Sequence, residues 1–397
     1  MKRPSVEISV RNLNSSESGS PFFKTDDVIQ GEVLFAPRHA IPLENINITF
    51  QGNMTTETEN LDNHLPVSHN TLRKTFLRVD FPVEEYLPEA IFEPKEIYRI
   101  PFSFVVPSHI PVQMCYHTCA NCQVHEEHLQ LPPSLGKISQ YFDNTHDMTP
   151  SEAEIKYSIN FSVVEKMLNA EWPKALKETI YPIYIFPRRS EMPPLLLAPE
   201  SRYYRTRVEK ILKKGILRSE VGTMVLSTLQ PPGIELCRGP QPRNSIEAST
   251  TVRINLLFET ACEKELPPRM VSSEVKLKAM TFFGMEPWFN FPDHSGPSVW
   301  GPRQTYWSET VSLQLENCVI DWRKQAKADG SDSTLFYTAT VHISVALPDT
   351  LVYPPTFHSC FISSSYALKT ILSYRDHSKA RVNSSASLTV PLQIYVS

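Results

Sequence analysis

In the stretch ENINITFQG, Ile46, Ile48 and Phe50 alternate with Asn45, Asn47 and Thr49. In IKYSINFSVV, Tyr157, Ile159, Phe161 and Val163 alternate with Lys156, Ser158, Asn160 and Ser162. VIQGEVLF offers Ile29, Val33 and Phe35, and PFSFVV offers Phe102, Phe104 and Val106. Period-two alternation places one face of a strand on a core and the other in water, so these segments are expected to be sandwich strands. After about residue 215 the pattern restarts. Val252, Ile254, Leu256 and Phe258 form one set, and Val275, Leu277 and Ala279 another. Val311, Leu313 and Leu315 follow, and the chain closes on Leu388, Val390, Leu392, Ile394 and Val396. Asp329-Gly330 is a hairpin-turn signal ahead of a further alternating run. No long segment has helical periodicity. The pattern predicts an all-β chain of two tandem immunoglobulin-like β-sandwich domains.

Composition supports this and narrows the function classes. Proline is abundant at 34 residues and glycine scarce at 12, which suits short bounded strands rather than long helices. A formal net charge of −4 gives no reason to expect nucleic acid as a partner. The N-terminus, MKRPSVEISV, has no apolar core of a signal peptide, and no run approaches the length of a membrane span. Seven cysteines, four of them scattered singly, read as reduced thiols rather than a disulfide framework. The Asn-x-Ser/Thr triplets at Asn47 and Asn160 fall within strand-like runs and read as chance matches. The expected division is 1–187 for the first sandwich, 188–215 for a linker carrying a basic run, and 216–397 for the second sandwich.

The ordered set FFKTDDVIQGEVLF, NINITFQG, YRIPFSFVVPSHIP and IKYSINFSV resembles the N-terminal domain of arrestins. It is most similar to the arrestin-related (α-arrestin) proteins of filamentous fungi. The matching positions are Gly31, Gly52, Pro101 to Phe104, Pro107, Pro111 and Tyr157, within roughly residues 20–187. Gly52 directly follows an alternating strand, where a turn is expected. The second half resembles an arrestin C-terminal domain by position and strand count. The resemblance implies a non-enzymatic cytoplasmic adaptor, peripheral to the plasma membrane or endosomes. Such an adaptor binds cytoplasmic tails of membrane-protein cargo and links them to ubiquitination and endocytosis. Arrestin-related proteins recruit ubiquitin ligases through PPxY motifs that dock on WW domains. Here LPPSLG, MPPLLL, QPPGIE, LPPRMV and YPPTFH contain Pro-Pro but lack that tyrosine. A structural endosomal-sorting scaffold without ligase recruitment is therefore the alternative. The resemblance further implies a buried charged latch, whose members the sequence does not single out.

Three segments carry candidate chemistry. CYHTCANCQVHEEH brings together Cys115, His117, Cys119, Cys122, His125 and His128 in a long connection between two strands, about 108–153. It reads as a packed loop, as a redox or partner contact, or as a zinc site. Cys119, Cys122, His125 and His128 form the candidate ligand set, and exchange with Cys115 or His117 relieves the crowding of three two-residue loops. By the resemblance, this loop would lie near the cargo-facing edge. The part HEEHLQLPPSL is expected to carry a short helix. The second segment, RYYRTRVEKILKKGILR, sets Arg202, Arg205, Arg207, Lys210, Lys213, Lys214 and Arg218 against Glu209 alone. That run is either a solvated face or a site for anionic lipid or phosphate. The third, Glu57 to Glu96, holds nine carboxylates against four basic residues and reads as solvated loop. Catalysis has little support. His125-Glu126-Glu127-His128 is one residue short of the spacing that seats a glutamate beside metal-bound water, and no nucleotide or nucleophile-elbow motif appears.

Overall fold

The computed structural model describes residues 5–11, 22–59, 69–85, 91–94, 96–136, 146–165, 174–192, 203–214, 219–236, 248–292, 301, 303–329, 332–375 and 383–397. Strands make up most of the described residues, as the alternation predicts. In the N-terminal half, Ser5–Arg11, Val28–Ala36 and Tyr98–Val105 form a three-stranded antiparallel sheet. Facing it is a five-stranded sheet in the order Phe22–Phe23, Lys174–Ile185, Ala153–Glu165, Ile46–Glu59 and His69–Asp80. Rings from both sheets meet between the layers. Phe35 lies 5.1 Å from Phe161, and Phe50 lies 5.9 Å from Phe104, centroid to centroid. Ile46, Ile48, Phe50, Tyr157, Ile159, Phe161 and Val163, the alternating residues, are all buried there. Burial at roughly 25 cal/mol per Å² of apolar surface is what drives this half together.

The C-terminal half repeats the plan with larger sheets. One runs in the order Arg207–Lys214, Ser219–Thr228, Ser249–Thr260, Asp332–Ala346 and Arg323–Asp329. The other is built on Gln304–Asn317, Arg269–Gly284 and Ile362–Arg375, with Asn383–Leu392 also pairing Ile362–Arg375. Leu256, Leu277, Leu368 and Val390 lie in one buried cluster that joins these sheets. Leu315 departs from its expected place, being 72% exposed near the end of its strand. Asp329 pairs Asp332, consistent with a hairpin. Gly330 itself lies outside the described residues.

Other expectations change once packing is seen. Gly52 is not at a turn but inside the strand Ile46–Glu59. A Cβ there would lie 2.7 Å from the Phe76 ring and 2.9 Å from that of Tyr157. Glycine is needed because two rings close over the backbone, and the register with the neighbouring strand shifts just after it. The acidic stretch is not all loop, since His69–Asp80 forms an edge strand through its middle. Asn160 is buried.

The two halves are sealed to each other. Phe283, Phe357, Cys360, Phe361 and Ile362 pack into the N-terminal core, and Met148 and Phe186 pack into the C-terminal one. The Thr56 hydroxyl donates to the Gly284 carbonyl at 2.8 Å. His146–Asp147 pairs in parallel with Leu351–Val352 across the junction. No helix among the described residues is long and apolar enough to cross a membrane.

Candidate metal centre and the buried ion pair at the junction

The loop after the strand Tyr98–Val105 folds back on itself. The Leu131 amide donates to the Ser108 carbonyl at 3.0 Å, and the Ile110 amide donates to that of Leu129 at 2.8 Å. A single turn of 3-10 helix, Val112–Met114, then delivers Cys115 into the interior. The helix Cys122–Leu129 begins at Asn121, whose side chain accepts from the Val124 amide at 2.9 Å. It ends where Gln130 turns extended ahead of Pro132. Val124, Glu127 and His128 form its buried face.

Cys115, His117, Cys119 and His128 converge, with their ligand atoms all within 4.8 Å of one another. Cys115 Sγ lies 3.9 Å from Cys119 Sγ, 3.5 Å from His117 Nε2 and 4.0 Å from His128 Nδ1. Cys119 Sγ lies 3.7 Å from His128 Nδ1. Two members of the candidate ligand set are thereby replaced. Cys122 is exposed at the first helical position, roughly 120° around the axis from His128. His125 sits half-buried on the flank. Helical periodicity admits only His128 to the cluster, and the extended segment before the helix supplies the other three.

Burial pushes the Cys115 thiol up to about 11, and nearby Cys360 from the C-terminal half adds to that. Burial also pushes Cys119 up to about 11. His128 is driven down to about 4 by burial and by His117 beside it, and burial lowers His117 too. The cluster as it stands is therefore four neutral groups near pH 7. Any cation there would have to displace two thiol protons.

On the same buried face of the helix, Arg189 donates from Nη1 to Glu127 Oε2 at 3.1 Å and from Nη2 to the Leu131 carbonyl at 3.3 Å. Its backbone amide donates to the Val396 carbonyl at 2.8 Å, near the C-terminus. Burial raises the Glu127 carboxyl and lowers the Arg189 guanidinium, each opposed by the other's charge. His358 completes this polar layer from the C-terminal half; burial, Arg189 and His128 drive it down to about 3.

No protein-family model matches this chain, and no curated protein sequence matches it.

The basic run is divided by the fold. Arg207–Lys214 is the edge strand of a sheet rather than part of a linker. Arg205, Arg207, Lys210 and Lys213 are exposed, while Leu212 between them is buried in the C-terminal core. Charges on an edge strand also guard it against pairing with another chain. Arg202, Arg218 and the side chain of Lys214 lie outside the described residues. The loop of cysteines and histidines also touches the C-terminal half. The Ala120 amide donates to the Phe289 carbonyl at 2.8 Å, so the segment is fastened to the C-terminal half. Sequence reasoning missed Glu127, Arg189, His358 and Cys360. The one available signal was the Arg188-Arg189 pair directly after the strand ending at Ile185.

Proposed function

We propose that this chain is a non-enzymatic adaptor similar to arrestin-related trafficking proteins. It binds cytoplasmic tails of membrane-protein cargo at the cytoplasmic face of the plasma membrane or endosomes. The observation that carries this reading is the buried Arg189–Glu127 pair at the junction of the two sandwiches. Arg189 touches the helix Cys122–Leu129 through its guanidinium and Val396, just past the strand Ile394–Tyr395, through its backbone. A buried pair contributes little net stability while intact and costs much when broken, which suits a latch. An anionic group on a cargo tail is the chemistry that competes for a guanidinium fork. The exposed Arg205, Arg207, Lys210 and Lys213 would attract the same cargo or an anionic membrane surface.

A second reading, a structural endosomal-sorting scaffold, is favoured by one observation. Pro132, Pro133, Pro354 and Pro355 are all buried, so LPPSLG and YPPTFH are closed to a WW domain. Proximity labelling in the native cell separates the two. Enrichment of a ubiquitin ligase or a permease supports the adaptor, whereas coat subunits without ligase support the scaffold. Labelling that enriches neither class removes both. Charge reversal at Lys210, Lys213 and Lys214 should weaken binding to anionic liposomes; unchanged binding would exclude the basic strand as a membrane contact.

A further inference from the structure

We propose that Cys115, His117, Cys119 and His128 bind one zinc ion, closing the loop that fastens the N-terminal half to the C-terminal half. Tetrahedral zinc at its usual bond lengths sets sulfur–sulfur edges of about 3.8 Å and sulfur–nitrogen edges of about 3.6 Å. The observed sulfur–sulfur separation is 3.9 Å, and the sulfur–nitrogen separations of 3.5, 3.7 and 4.0 Å fall around the expected edge. Four of the six edges of a coordination tetrahedron are thus already near their length, and all four ligand atoms lie within 4.8 Å of one another.

Both imidazoles present the correct nitrogen. His117 Nδ1 is 3.1 Å from the Thr118 carbonyl, an acceptor, so Nδ1 carries the proton and Nε2 turns its lone pair toward Cys115. A backbone carbonyl holding the remote N–H is the usual support of a metal-bound histidine. His128 is fully buried, and its Nε2 has no hydrogen-bond partner among the described residues. Among the described residues its close polar contacts, at Nδ1, are with the two sulfurs. Thiols are weak donors and satisfy that Nδ1 poorly, whereas a cation accepting its lone pair would satisfy it well.

At 3.9 Å the two sulfurs are in contact but not bonded to each other. Mixed sulfur and imidazole donors in tetrahedral array select zinc over the harder cations. Four protein ligands leave no open position, which marks a structural site rather than a catalytic one. The connection to the other half is direct. Buried Cys360 packs into the same core cluster as Cys115, and the Ala120 amide donates to the Phe289 carbonyl. Fixing Cys115 and Cys119 fixes the segment that makes both contacts.

The test uses the full chain, purified under reducing conditions without chelator. Elemental analysis should find about one zinc per chain, as a closed four-ligand site requires. The Cys115→Ser/Cys119→Ser variant should lose it, whereas Cys122→Ser and His125→Ala should keep it. If the double variant does not fold, cobalt replaces zinc in the wild-type protein, where thiolate-to-cobalt absorption and visible bands of a tetrahedral ion are expected. Protein that is metal-free and takes up no cobalt would overturn the proposal. So would zinc lost equally with Cys122→Ser, or a Cys115–Cys119 disulfide in freshly purified reduced protein.

Discussion

The Glu127 carboxylate and the Arg189 guanidinium meet at 3.1 Å where their side chains keep only 10% and 9% of their exposure. Removing one charge leaves the other buried and unpaired. Arg189→Gln is expected to destabilise the fold by about 3–5 kcal/mol, and Glu127→Leu with Arg189→Met together to recover most of that loss. Urea denaturation of the two variants beside the wild type checks this. A single variant with the wild-type midpoint would contradict the ionic role.

Gly52 lies under the rings of Phe76 and Tyr157 with no room for a methyl group. Gly52→Ala is expected to cost about 1–3 kcal/mol by overpacking, with a lower melting temperature and an unchanged far-ultraviolet spectrum. Phe76→Leu in the same chain should restore part of the loss. A purely conformational role for the glycine would leave the second substitution additive.

His358 accepts its proton in the unfolded chain near pH 6.5 but in the folded protein only near 3. The stability it contributes is complete above about pH 6.5 and is lost progressively as pH falls toward 3. At pH 5 the expected loss from this group is about 2 kcal/mol. His358→Phe keeps a ring beside Phe291, now 4.6 Å away, and should flatten that part of the profile. Melting curves at pH 7 and pH 5 in one buffer series, compared as differences between variant and wild type, measure it. Parallel profiles would exclude His358 as the acid-sensitive group.

Alkylation should sort the cysteines by environment. Cys122 and Cys262 are exposed, whereas Cys115 is buried and half-buried Cys119 has its thiol raised with it. Iodoacetamide near pH 8 is expected to modify Cys122 and Cys262 first and Cys115 and Cys119 at least about tenfold more slowly, because the thiolate is the reacting species. Peptide mass mapping over time reads the order. Equal rates at Cys119 and Cys122 would contradict the clustered geometry.

Alternation alone determined the strands. Tyr157, Ile159, Phe161 and Val163 are buried because a strand turns successive side chains to opposite faces, whatever lies beyond it. The same local rule carried the all-β class, whereas the short helix expected in HEEHLQLPPSL lies earlier, at Cys122–Leu129. It also exposed the loop as chemically unusual, since ligand residues crowded into one segment are visible without any fold.

Which ligands meet was decided only by the tertiary structure. Cys115, His117 and Cys119 reach His128 because a turn and a capped helix bring the loop back on itself, and Cys122 falls on the exposed side of that helix. Gly52 read locally as a turn; only the packing of Phe76 and Tyr157 from other strands shows why a side chain is forbidden there. Arg189 and Glu127 are 62 residues apart, and His358 is farther still. A strand's pattern records which face it buries, not which distant charge will be buried with it. That choice belongs to the packing of the two halves.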